Sequence, residues 1–304
     1  MADRREAAAV LALAARTHRA WHLLSQALEG AGTALDLAAG IRTGDEPPEL
    51  DSALERVVIQ EAQFDENERL IEELARRGVS LITVLDDAYP ANLRLVYDRP
   101  PFLFVRGELR DADRRAIAVV GTRSASDDGL REAAELARGL TEHGVTVVSG
   151  LAVGIDTAAH RATLDRGGRT VAVIGSGIDA PLYPRANVKL ADEIVASGGA
   201  VVSQFLPQAP PRQENFRLRN RTMSGLALGT AVVEASGKSG ARMQARIALE
   251  HMKRVFLVRE LVTREEWAQQ YLDHPGVTVV EHAGEVLDVL DAITTPPEQL
   301  SLTA

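Results

Sequence analysis

Apolar residues fall in two regimes along this chain: helical spacing in the first quarter, then short continuous runs. In residues 1–77, Leu11, Leu13, Trp21, Leu23, Leu24, Leu28, Leu35 and Leu37 recur at mixed three- and four-residue intervals. That spacing predicts packed short helices, broken at Gly30 and Gly32. Pro47-Pro48 marks a turn, and a second helical run is predicted over about 51–77 from Leu54, Val57, Val58, Ala62, Phe64, Leu70, Ile71 and Leu74. Residues 78–115 read as a connector with short strands, Val79 to Val84 and Phe102 to Val105. From Ala116 strands and helices alternate. Strands are predicted at 116–120, 145–148, 170–174, 200–203, 230–234 and 254–258, with helices near 128–142, from about 155, and from Ser239-Gly240 to about 251. Near-continuous apolar strands separated by helices imply a parallel sheet covered on both faces. A strand at 277–280 and a helix at 284–292 follow, and Pro296-Pro297 lies in what reads as a flexible tail. The predicted domains are therefore a helical one over 1–77, an α/β one over 78–292, and a tail over 293–304.

With 304 residues and 45% hydrophobic content, the chain can bury one large core beside a small one. It has no cysteine, which excludes disulfides, thiolate metal sites and cysteine nucleophiles. No apolar run reaches bilayer length. The first apolar stretch is interrupted by Arg16, His18 and Arg19, so it reads as an amphipathic helix of a cytoplasmic protein and not as a signal peptide. The seven histidines show no metal-ligand spacing. Charge is distributed unevenly. From Arg212 to Arg254 there are nine basic and three acidic residues, a balance of +6 in a chain of net −9. A polyanion would be drawn to this part and repelled by most of the rest.

In an open parallel sheet, ligands sit beyond the carboxyl ends of the strands. Four glycine-bearing loops are expected there. Gly121-Thr122-Arg123 combines a tight turn, a helix start and a guanidinium able to hold a phosphate in two bonds, but it matches neither the dinucleotide fingerprint nor a Walker loop. Ser149-Gly150 can offer hydroxyl and amide donors. Asp156 and His160 follow one helical turn apart. They read either as a base pair for hydrolysis or, more simply, as a helix cap and a packed imidazole. Gly175-Ser176-Gly177-Ile178-Asp179 precedes Tyr183, which can stack on a base or pack under the loop, and Arg185, a phosphate contact or a solvated arginine. Last come Arg219-Asn220-Arg221 and Ser236-Gly237-Lys238-Ser239-Gly240-Ala241-Arg242. If this segment is extended or opens a helix, Arg219 and Arg221 point in different directions, so that one can serve a ligand while the other pairs with a carboxylate such as Glu234. Ser239-Gly240 opens a helix, a ready anion site, with Lys238 and Arg242 adding charge.

These blocks, in this order, resemble the DprA/Smf DNA-processing proteins. The resemblance rests on Asp87-Ala88-Tyr89-Pro90-Ala91-Asn92-Leu93, Pro100 to Gly107, Val120-Gly121-Thr122-Arg123, Ser149 to Asp156 with His160, Gly175 to Asp179 with Tyr183-Pro184, Arg219-Asn220-Arg221, and Glu234-Ala235 with Ser239-Gly240. It covers most of residues 78–258. It implies an extended Rossmann-like domain with a mainly parallel sheet, preceded by a small all-α domain similar to SAM or helix-hairpin-helix modules. It also implies a single-stranded DNA-binding protein without catalytic residues or cofactor. A homodimer that loads RecA recombinase on incoming DNA in natural transformation is implied as well. Carried over by position, Arg123, Ser149, Gly150, Arg219, Asn220, Arg221, Ser239 and Gly240 would line a phosphate pocket, beside Gly121. Arg185, Lys238 and Arg242 join the candidates on charge.

The chain departs from the family pattern where Gln204 replaces the usual Glu, Thr222-Met223 replace two aliphatic residues, Ala241 replaces Ser, Gln244 replaces Thr, and Arg259-Glu260 replace Pro-Gly. A C-terminal winged-helix-like domain is not expected. Two other readings stay open on the same fold: a nucleotide-binding sensor, and an enzyme acting on nucleoside monophosphates. Against the enzyme, the Pro-Gly-Gly-x-Gly-Thr loop of the related phosphoribohydrolases is replaced here by Glu234-Ala235-Ser236-Gly237-Lys238-Ser239-Gly240.

Overall fold

A computed structural model describes residues 3–17, 20–41, 50 and 59–294, so the expected helical stretch 51–58 and most of the expected tail lie outside the described residues. Helices α1 (Arg4–Arg16), α2 (Trp21–Ala31), α3 (Ala34–Ala38) and α4 (Glu61–Arg76) precede the sheet. The small residues of α1 let its neighbours approach closely, and Ala7 to Ala14 are all buried. Arg5 bonds Asp65 and Glu68 on α4 at 2.9 and 3.2 Å, and Asn67 donates to the Ala8 carbonyl at 3.0 Å.

Among the described residues the sheet has nine strands: β1 (Val79–Thr83), β2 (Phe102–Gly107), β3 (Ala116–Val120), β4 (Thr146–Ser149), β5 (Thr170–Val173), β6 (Ala200–Ser203), β7 (Gly229–Val232), β8 (Arg254–Val258) and β9 (Val277–Val280). Their order is β1-β2-β6-β5-β4-β3-β7-β8-β9. The seven strands from β6 to β9 are parallel, and β2 and β1 extend one edge antiparallel. Residues 78–115, read as a connector, thus complete the sheet. Such pairing is set by the distant partner β6, not by local pattern.

Side chains alternate along the strands, so each strand feeds two cores. Ile117 and Val119 of β3 pack with α5 (Asp127–Glu142), α6 (Ile155–Asp165) and the last helix, Ala283–Thr294. Ala116, Ala118 and Val120 point to the other core, shared with α8 (Gln213–Leu226), α9 (Gly240–Glu250) and the N-terminal helices. Helix α7 (Val188–Ala196) covers β5 and β6 through Leu190, Ala191 and Ile194. Trp21 of α2 meets Phe102 of β2 edge-on at 5.3 Å, joining the N-terminal helices to the same apolar cluster. No described helix is long and apolar enough to cross a membrane.

The chain starts its parallel block at β3, winds outward through β4, β5 and β6, then returns to β7 on the other side of β3. This doubly wound, Rossmann-like order opens a crevice where β3 and β7 end side by side.

Candidate functional site

A cavity of about 340 Å³ lies in that crevice. The β3 loop supplies Gly121, Thr122 and Arg123, and the β7 side supplies Ser236, Ser239, Gly240 and Gln244. Helix α8 presents Phe216, Arg219, Asn220 and Met223. Those positions are spaced three and four apart, so they share one helix face. The loops are fastened backbone to backbone. The Thr122 N–H donates to the Glu234 carbonyl at 2.6 Å, and the Ile155 N–H to the Thr122 carbonyl at 3.3 Å. Gly154 has φ +82, and a Cβ there would collide with the Thr122 carbonyl.

Arg219 is the electrostatic centre. It is 5% exposed. Its Nη1 donates to the Val173 carbonyl at 2.8 Å, and its Nε–H has no acceptor. Burial lowers its pKa to about 10, partly offset by Asp156 and reinforced by Arg123. A protonated guanidinium held this way favours an incoming anion. Its head lies over Gly150, where a Cβ would overlap the guanidinium. Arg123 is exposed and stacks over Phe216 at 5.4 Å.

The helix N-termini that follow the β3 and β7 loops differ. The start of α5 is occupied by protein: the Glu234 carboxylate accepts from the Ser126 N–H and hydroxyl at 3.0 and 2.9 Å. The start of α9 is open beside Gly240, where a Cβ would meet nothing within 4 Å, and Ser239 caps it by accepting from the Ala241 N–H at 3.1 Å. An anion in the cavity therefore finds the α9 terminus and not the α5 terminus.

A second groove of about 560 Å³ adjoins the first and shares Arg123, Phe216, Asn220 and Gly240 with it. Tyr183, Arg217, Lys238 and Met243 line it. Tyr183 is 51% exposed and sits 6.0 Å from Phe216, ring to ring.

The structure thus brings together Gly121, Arg123, Arg219, Asn220, Ser239 and Gly240, with Gly150 beneath Arg219 and Lys238 on the adjoining groove. Four other candidates lie elsewhere. The Ser149 hydroxyl is fully buried and donates to the Val119 carbonyl at 2.7 Å, a bond between strands. Arg221 is on the opposite face of α8, where it bonds the Asp98 carboxylate and the Tyr97 hydroxyl. It does not pair with Glu234. Arg242 turns back to the Gly237 carbonyl at 3.0 Å and stacks on Trp267 at 5.8 Å. Arg185 is exposed on a short 3-10 turn and lines neither groove. Phe216, Arg217, Met243 and Gln244 join the site without having been singled out as ligand contacts. Phe216 and Met223 were within reach of the sequence, because each lies one helical turn from Arg219.

Asp156 and His160 do not bond each other. Asp156 accepts from the Gly150 and Ala152 amides at 3.0 and 3.3 Å and so shapes the β4 loop. Burial raises its pKa, against the opposing effect of Arg219. His160 is fully buried, with Nδ1 2.7 Å from the Thr170 hydroxyl. That hydroxyl donates to the Val147 carbonyl, so the imidazole must be the donor and carries its proton on Nδ1. Nε2 then has no partner, and burial with Arg219 nearby lowers the pKa to about 3. The unfolded chain binds this proton near pH 6.5, the folded chain only near 3. Stability due to neutral His160 is therefore whole above about 6.5 and lost as pH falls toward 3. Acid unfolding followed by circular dichroism should show this fall. His160→Leu should flatten it between those limits.

Two departures from the family pattern compensate each other: the Thr222 hydroxyl donates to the Gln204 side-chain carbonyl. Arg259 pairs with Glu281 at the surface.

Comparison with known proteins gives a consistent result. Residues 80–291 match the family model of DNA recombination-mediator protein A. The DNA processing protein DprA of Streptococcus pneumoniae is 42% identical over 176 residues, covering 58% of this chain and 61% of that protein. Protein Smf of Escherichia coli K12 is 43% identical over 211 residues, covering 69% of this chain and 56% of that protein. The matched part thus spans less than two thirds of either relative. The X-ray structure of DNA processing protein A from S. pneumoniae aligns with a TM-score of 0.64 at 32% identity, over 84% of this chain and 90% of that one. A DNA processing protein A from Helicobacter pylori, which binds single-stranded DNA, shares the fold with a TM-score of 0.62 at 24% identity, over 71% of this chain and 96% of that one.

Proposed function

Because this chain belongs to the DNA recombination-mediator protein A family, we propose that it binds single-stranded DNA without sequence-specific duplex readout, in the two adjoining grooves at the β3–β7 crevice. The observation that carries this reading is the charge and shape of those grooves. Arg123, Arg217 and Lys238 make no ion pair among the described residues, and all three are exposed where the grooves run. Other surface cations among the described residues are mostly paired, as Arg77 is with Asp179 and Arg115 with Asp291. Unpaired cations along a groove track a phosphate backbone. Tyr183, Phe216 and Met243 supply an apolar ledge on which bases can stack, worth about 1–3 kcal/mol per base for an aromatic.

Binding, not catalysis, is the role these residues support. Asp156 and His160, the one candidate acid–base couple, are occupied in holding a loop and a strand. Loading of RecA recombinase and homodimerisation, which the family resemblance implies, and a cytoplasmic site of action, read from the N-terminal sequence, complete the proposal.

Affinity for a labelled oligo-dT strand, measured by anisotropy across salt concentrations, tests the reading. Binding should weaken as salt rises, with a logarithmic slope of about −0.7 per phosphate contacted. Arg123→Ala with Lys238→Ala should flatten that slope by roughly one to one and a half. Salt-independent binding, or equal affinity for a duplex of the same length, would overturn it.

A further inference from the structure

Asp156 is out of place in a cavity suited to an anion. It is 5% exposed and lines that cavity, where Arg123 and Arg219 are the other charged side chains among the described residues. The two amides that it holds, of Gly150 and Ala152, both bond one oxygen, Oδ2. A carboxyl protonated on Oδ1 keeps both bonds, so the loop does not require the charge. What favours the charge is Arg219, acting against burial.

We infer that Asp156 takes up a proton from solvent as a phosphate of the strand settles on Arg219, so that strand binding and protonation of this carboxyl are one coupled event. The inference rests on the single-strand reading above. In the free protein the charge of Arg219 is balanced through space by one anion, Asp156. An arriving phosphate makes two anions for one buried guanidinium. Like charges that share a site raise the pKa of whichever of them can take a proton. A phosphodiester stays ionised to strongly acidic pH, so the proton goes to the carboxyl. Burial already raises the pKa of Asp156, and the phosphate acts in the same direction. The surrounding groups do not compete. Arg219 stays charged below about 10. His160, one helical turn along α6, stays neutral above about 3. Neither α5, α7 nor the strands bring a charged side chain to the cavity. By linkage, affinity is highest at low pH. It falls as pH rises and levels off above the pKa that the carboxyl has in the complex.

Oligo-dT is the probe, because thymine itself does not titrate over the range concerned. Anisotropy at constant salt should show at least about tenfold tighter binding at about pH 5 than at about pH 8, the effect of one like charge within about 10 Å at a protein's effective dielectric. Calorimetric titration in buffers of different ionisation enthalpy counts the proton. A tenfold effect corresponds to a peak uptake of about half a proton per strand. Asp156→Asn keeps an oxygen for both amides and removes the charge. At the upper pH it should bind as tightly as the wild type does at the lower one, and it should take up no proton. The same pH dependence in wild type and variant, or no proton uptake by the wild type anywhere in this range, would overturn the inference and leave salt-sensitive strand binding standing. Failure to bind the strand at every pH would sink the single-strand reading together with it. If the asparagine variant does not fold, difference infrared spectra of the wild type decide. A protonated-carboxyl band must grow as the strand binds, and its absence refutes the coupling.

Discussion

Arg219→Met should weaken single-strand binding by about 100-fold while leaving thermal stability unchanged or higher. The two halves of this expectation have one cause. In the protein alone the guanidinium is buried, has one hydrogen bond, to the Val173 carbonyl, and makes no ion pair among the described residues. Its pKa falls from 12.5 to about 10 on burial. Between those values the unfolded chain holds more protons than the folded one, so stability rises with pH across that window. Below about 10 the buried charge therefore works against folding. A methionine of similar length removes the charge and keeps the packing, a change that is often neutral or stabilising. Asp156 can then take up a proton and still accept the Gly150 and Ala152 amides. An anion in the cavity reverses the balance. Two charge-assisted bonds at the low end of the range, about 1.5 kcal/mol each, amount to roughly two orders of magnitude in affinity. Paired calorimetric melting and anisotropy titration check both halves. A variant that binds normally, or one that loses binding only because it unfolds, contradicts the assignment. Arg221→Met is the contrast: it should lower the melting temperature, because Asp98 loses a partner, and leave binding within about threefold.

The second large effect is expected at a residue with no side chain. Gly150→Ala puts a methyl where the Arg219 guanidinium now lies. Gly150 is not among the glycines of positive φ, so alanine adds no backbone strain there. Relief comes from movement of the arginine head, the flexible end of the contact, and not from the backbone. The cost to the fold is the bond to Val173, about 1–3 kcal/mol. The cost to function is a displaced cation, so affinity should fall by at least about tenfold with the fold intact. Combining the two variants discriminates further. If Gly150→Ala acts through Arg219, it should add little in an Arg219→Met background, because coupled residues are not additive. Independent, additive losses would mean that Gly150 meets the strand by itself.

The strands were legible because buried parallel strands are continuous apolar runs, as at Ala116–Val120 and Arg254–Val258. Boundaries shifted where a polar group had other work. The run expected at 230–234 ends as a strand at Val232, since Glu234 turns aside to hold the start of α5. The antiparallel edge was not legible, because β2 pairs with a strand nearly a hundred residues away. At the site, glycine at strand ends marked the crevice, but charge alone misplaced long side chains. Arg242 and Arg221 carry the right charge and satisfy it on neighbours, Gly237 and Trp267 in one case, Asp98 in the other. The divergence of Arg219 and Arg221 followed from their spacing, and only tertiary packing decided which of them faced the cavity. Gln244 stood out as a departure, but that its amide is unpaired is a property of the folded neighbourhood and not of the sequence.

The most direct test of where the strand lies is photo-crosslinking. A single strand carrying halogenated uracils would be irradiated on the wild-type protein and the joined peptides mapped by mass spectrometry. The crevice reading predicts crosslinks at Tyr183, Phe216 and Met243, lost when Arg219 is replaced. Crosslinks concentrated at Trp21 and Tyr97, on the side of α8 that bears Arg221, would place the strand elsewhere and contradict the reading.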